Sequence, residues 1–121
     1  MWVYREIRTL GDYVDYHAAR RGSGTALVFG EHVTTYAELA RETWRVAQGL
    51  EAAGVPRGAR VVYLGKNSDD FFVALFGTAK HGGCFCPLNW RLSTPELARV
   101  LADAAPAFAF VEAEYAAQWE T

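Results

Sequence analysis

The chain has 121 residues, of which 51% are hydrophobic, and a formal net charge of −2. That length accommodates one domain with a modest core, and that hydrophobic share excludes a disordered chain. The near-neutral balance excludes bulk electrostatic attraction to nucleic acid or to an anionic membrane as the basis of function.

No apolar run reaches the roughly 18 residues of a transmembrane helix. The stretch Met1–His17 carries Arg5, Glu6 and Arg8 and has no leader-like apolar segment. A cytoplasmic protein is therefore the expectation. Thr9 is placed to cap a first helix, with Leu10, Tyr13, Val14, His17 and Ala18 on its apolar stripe and Arg20–Gly24 ending it. Ala26–Phe29 reads as a short strand, and Gly30–Glu31–His32 as a turn into Val33–Thr35.

The next helix has the clearest signals. Thr35 and Glu38 form a capping box, and Leu39, Thr43, Val46, Ala47 and Leu50 lie on one stripe. Gly54 stands where a left-handed residue closes a helix, and Pro56 follows. Trp44 falls about 100° off the stripe, on a flank expected to meet a partner outside the chain.

Val61–Leu64 is an apolar, β-branched strand. Ser68 caps the helix after it, with Asp69 and Asp70 at the positive end of the helix dipole. Phe71–Ala79 is apolar almost all round and calls for cover on every side. Lys80 and His81 close that helix, and Gly82–Gly83 stop it. Cys84–Leu88 is the next strand, with Cys84 and Cys86 on one face as small buried packing residues. Ser93 and Glu96 form a second capping box with Pro95 in the first turn; Leu97, Val100 and Leu101 face inward. Ala107–Val111 is a final strand. Glu112–Thr121 reads as the start of another element, its Tyr115 and Trp119 wanting something to pack against. Strands alternating with helices imply an α/β fold of right-handed βαβ units with a mostly parallel sheet.

The motifs of nucleotide and hydrolase chemistry are missing: GxxxxGK[ST], GxGxxG and the Gly-x-Ser-x-Gly elbow do not occur. No second cysteine pair completes a zinc set. His17, His32 and His81 are scattered without a paired nucleophile or ligand. Neither a catalytic nor a metal-ligating nor a cofactor-binding residue is assigned. Asn89, Trp90 and Arg91 are the ligand-proximal candidates. They follow a strand at its C-terminal end, where parallel sheets place ligands, and an arginine there can meet phosphate or carboxylate. The other reading of these three is a connecting loop with Trp90 as a packing lid.

Several pieces in order resemble the N-terminal portion of the adenylate-forming acyl-CoA synthetases, from about Leu10 to Val111. They are Ala26–Phe29 with Thr35–Leu39, Gly54–Val61, Asn67–Ser68, Lys80–Gly83, and Pro87–Leu92 ahead of Glu96–Leu97. Phe85–Arg91 looks most like the fatty-acid or aromatic-acid CoA ligase branches. The resemblance implies that ATP and a carboxylic acid, with magnesium, give an acyl-adenylate, which the thiol of CoA then attacks. It also implies that the phosphate loop, the nucleotide contacts and the assisting lysine lie downstream, so residues 1–121 form an incomplete adenylation-domain segment. Its partner is then the remainder of the synthetase or a second subunit. Two rivals stand beside this. One is a stand-alone module docking through the apolar Phe71–Ala79 helix. The other is a phosphoacceptor-like domain, disfavoured because capping accounts for Asp69 and Asp70.

Overall fold

The computed structural model describes residues 4–121; Met1–Val3, at the head of the stretch expected to lack a leader, lie outside the described residues. Helix α1 (Asp12–Arg21) leads into an antiparallel hairpin of β1 (Thr25–Phe29) and β2 (His32–Thr35). Then come α2 (Tyr36–Ala52), β3 (Arg60–Leu64), α3 (Asp69–His81), β4 (Cys84–Leu88), α4 (Thr94–Ala104) and β5 (Phe108–Val111). A 3-10 turn, Ala113–Tyr115, and a short α5 (Ala116–Glu120) complete the described chain.

The main sheet is parallel, ordered β4-β3-β5, with β3 central. Its two faces follow from the alternation of strand side chains. Val61, on one face, packs with Leu50 and Val55, flanked by Val46, Phe108 and Phe110. Val62 and Leu64, on the other, pack with Leu88, Leu97 and Tyr115. Helices α2 and α3 therefore cover one face, and α4 with the C-terminal turn covers the other, giving three layers. All four residues Val61–Leu64 are buried, as a strand covered on both faces requires.

Both capping boxes form. Thr35 Oγ1 accepts from the Glu38 amide at 3.2 Å, and Glu38 Oε2 accepts from the Thr35 amide at 2.8 Å. Glu96 Oε2 accepts from Ser93 N at 2.8 Å and from Ser93 Oγ at 2.7 Å. Ser68 caps α3, Gly54 is left-handed (φ +74°), and Gly82 closes α3 at φ +90°.

Several expectations are corrected. Thr9 does not cap α1: Asp12 Oδ2 instead accepts the amides of Arg8 and Thr9, both at 2.9 Å, and the helix begins at Asp12. Of the expected α1 stripe only Val14 is buried, while Leu10 and Tyr13 are exposed. Trp44 finds its partners inside the chain. Its indole N–H donates to Asp15 Oδ1 at 3.2 Å, and Lys80 Nζ lies 4.7 Å from the ring centroid. Helix α3 is largely covered by α2 and the sheet, and Phe72 is its one large exposed apolar side chain. Its close packing on α2 depends on Gly77, whose missing Cβ leaves room for Val46. Val100 is 39% exposed rather than inward-facing. Cys84 is exposed, and only Cys86 is partly buried, because β4 is an edge strand.

Candidate functional site

The C-terminal ends of β3, β4 and β5 lie along one edge of the sheet, where parallel α/β folds assemble ligand sites. Asn89, Trp90 and Arg91 leave β4 there. The Asn89 side-chain carbonyl accepts the Arg91 amide at 3.0 Å, which holds the loop in a tight turn. Trp90 packs on the core and meets the Tyr115 ring at 6.3 Å, so the packing-lid role of Trp90 is real. Two cations also lie over the same indole: the Arg91 guanidinium at 4.3 Å and Lys66 Nζ at 5.0 Å from the ring centroid.

The two cations differ in what they can offer. Lys66 is committed to Glu114 at 3.2 Å, and its hydrogen bond to that carboxylate raises its pKa. Arg91 is exposed, and among the described residues no carboxylate lies within ion-pair distance of it. Its planar donor fork is the kind of group that pairs with an oxyanion.

Beside this cluster lies a cleft of about 640 Å³ between β3, β5 and the start of α3. Glu112 organises it, a residue that no sequence signal singled out. Its Oε1 accepts from the Tyr63 hydroxyl at 2.8 Å and from Ser68 Oγ at 3.5 Å, while Oε2 accepts from the Lys66 amide at 3.0 Å. Gly65 makes this possible, because any Cβ there would overlap the Glu112 carboxyl. Burial, reinforced by the neighbouring Glu112 carboxylate, pushes the Tyr63 phenol up to about 12. Burial, then the Asp69 charge, likewise raises Asp70.

The residues present do not fit a magnesium–nucleotide site. The cleft is lined by Asp69, Asp70, Glu112 and Glu114 against the single cation Lys66, which repels phosphate. The N-terminus of α3, otherwise an anion site, carries two aspartates and the Ser68 cap. Asp69 is further engaged by His32 Nδ1 at 2.6 Å. Among the described residues no three His, Cys, Asp or Glu side chains converge to hold a metal. The buried His81 donates Nε2–H to the Val55 carbonyl at 2.7 Å, a structural bond. His17 is enclosed by the rings of Tyr4, Tyr16 and Tyr36.

Known proteins place this geometry. A family model described as AMP-binding enzyme matches residues 14–121. Indoleacetate–CoA ligase of Aromatoleum aromaticum is 42% identical over 109 residues, covering 90% of this chain and 21% of that protein. A feruloyl-CoA synthase of Amycolatopsis is 45% identical over 94 residues, covering 78% of this chain and 19% of the relative. Among solved structures, the N-terminal domain of FACL13 from Mycobacterium tuberculosis superposes with a TM-score of 0.88 at 28% identity, covering 94% of this chain and 30% of that one. The anthranilate CoA ligase AuaEII, at 24% identity, shares the fold with a TM-score of 0.89 over 97% of this chain and 23% of its own. Among the described residues no helix is long and apolar enough to cross a membrane. The chain spans about one-fifth of the length of the curated relatives it matches, and it belongs to the AMP-binding enzyme family.

Proposed function

We propose that this chain is the N-terminal scaffold segment of an ATP-dependent, AMP-forming acid–CoA ligase and is inactive alone. The observation that carries this is the family match over residues 14–121. The names of the relatives, indoleacetate–CoA ligase and feruloyl-CoA synthase, support a carboxylic acid as the substrate class. In this proposal ATP, magnesium and CoA are bound by the remainder of the synthetase or by a second subunit. Asn89, Trp90 and Arg91 face that remainder, with Arg91 presenting its free guanidinium to an anionic group.

Two assays test the proposal. The 121-residue chain, given ATP, magnesium, CoA and a panel of fatty and aromatic acids, is expected to form no acyl-CoA. A chimera in which it replaces the equivalent stretch of the indoleacetate–CoA ligase is expected to retain activity. Acyl-CoA formation by the isolated chain would refute the inactivity. A folded but inactive chimera would refute the scaffold role.

A second reading is favoured by one feature. Val28 and Phe29 of the hairpin are 66% and 51% exposed, and with Phe72 of α3 they line one shallow apolar depression. A stand-alone module could dock on a full-length synthetase through that patch. A native product of 13.4 kDa found in complex with a synthetase would favour docking; a much larger native product would favour the scaffold.

A further inference from the structure

The cysteines of β4 take no part in the candidate site. Cys84 and Cys86 lie two residues apart on the same face of an edge strand, with Sγ atoms 4.0 Å apart and Cys84 exposed. We propose that Cys84 and Cys86 form a two-coordinate site for a soft monovalent d10 cation of the copper(I) class.

Distance, ligand number and charge all favour this choice. Metal–thiolate bonds of about 2.3 Å, the zinc value, set two sulfurs about 4.6 Å apart in a linear site and about 3.8 Å apart in a tetrahedral one. The observed separation falls between them, so a small side-chain rotation reaches either. Zinc needs further ligands, and among the described residues no third His, Cys, Asp or Glu joins the pair. Copper(I) is selected by soft thiolates and is satisfied by two. A disulfide is disfavoured instead, because two strand residues advance about 6.6 Å, at the upper limit of the Cα separation a disulfide spans.

Ligation forms two Cu–S bonds and releases one proton from each thiol. The bis-thiolate complex carries one net negative charge. Arg60 stands opposite Cys84 in the β3–β4 register, on the same face. The guanidinium thus offsets the charge of the complex. Cys86 also packs against the buried cluster of Val62, Leu88 and Leu97, as Leu101 and Ala104 of α4 do, which shields one flank from water.

The test is a titration of the reduced full chain with copper(I) under argon, in competition with a chromogenic copper(I) chelator. One copper per monomeric chain is expected, with an ultraviolet thiolate-to-copper band. Two protons leave per metal, so apparent affinity should rise about 100-fold per pH unit below the thiol pKa values. Cys84→Ser and Cys86→Ser should each abolish competition, and Arg60→Gln should weaken it about 10-fold, as loss of a supporting group does. Circular dichroism of each variant establishes that it remains folded. Absence of competition, one copper per two chains, or binding retained by either folded serine variant would overturn the proposal.

Discussion

Gly77→Ala sets two opposed effects against each other, and the structure decides the sign. In an exposed helix interior the change would stabilise by about 0.8–1 kcal/mol through helix propensity. At Gly77, however, the added methyl would overlap Val46 of α2 and stand 3.0 Å from the Thr43 carbonyl oxygen. Val46 is β-branched and holds one preferred rotamer in a helix, and the Thr43 oxygen is backbone, so neither yields without moving α2. Overpacking costs about 1–3 kcal/mol, and this contact belongs in the upper part of that range. The net expectation is a loss of about 1–2 kcal/mol. With an unfolding entropy of about 2.1 cal/mol/K per residue, the Tm should fall by about 4–8 °C. Gly49→Ala is the matched control, since a Cβ there meets nothing within 4 Å. It should stabilise by about 0.4–1 kcal/mol and raise the Tm by about 2–4 °C. Thermal melts followed by far-ultraviolet circular dichroism measure both. A Gly77→Ala Tm at or above wild type, with Gly49→Ala behaving as expected, would refute the close α2–α3 packing.

Thr78 is fully buried and its hydroxyl finds no hydrogen-bond partner among the described residues, so Thr78→Val should stabilise by about 1 kcal/mol, seen as a higher urea midpoint at unchanged slope. Tyr63→Phe leaves Glu112 without its phenol donor and should cost roughly 1.5 kcal/mol at neutral pH. Because the folded Tyr63 phenol is raised from 10.0 to about 12, its contribution is complete below pH 10 and lost as pH rises toward 12. The Tm gap between wild type and Tyr63→Phe should therefore close across that window, and a gap that widens would contradict it. The Glu96 carboxyl is lowered from 4.5 chiefly by the Ser93 amide, so its contribution is present above pH 4.5 and lost as pH falls through the lowered value. Acid melts of Glu96→Gln against wild type should converge as pH drops; parallel curves would argue against the cap.

The most legible parts of the sequence were those governed by local chemistry. Thr35 with Glu38, Ser93 with Glu96, Ser68 and Gly82 each act on backbone groups a few residues away, and each does what its spacing implies. The continuous apolar run Val61–Leu64 likewise announced a strand, which the structure buries on both faces. Strand order was not legible, and the error over Cys84 follows from it: nothing within Cys84–Leu88 says that β4 is an edge. Trp44 was misjudged for a similar reason. Its partners Asp15 and Lys80 lie on α1 and α3, and local periodicity cannot report them. In the candidate site, Asn89, Trp90 and Arg91 stood out because a polar aromatic loop after a parallel strand has positional meaning. Glu112 did not, since a single acid after a strand is ordinary until Gly65 and Tyr63 are brought against it.

The placement of β3 between β4 and β5 also sets an order of assembly. Arg60 reaches Cys84 across one helix, whereas Val61 reaches Phe108 only across two helices and a strand. The second closure spans roughly twice the chain and costs about 0.6 kcal/mol more in loop entropy. The β3–β4 unit should thus nucleate while β5 docks late, and among the described residues β5 has a strand neighbour on one side only. Amide exchange should accordingly be slowest in Val61–Leu64 and fastest, among the parallel strands, in Phe108–Val111. The strand that closes the cleft over Glu112 is then the part of the sheet that opens first.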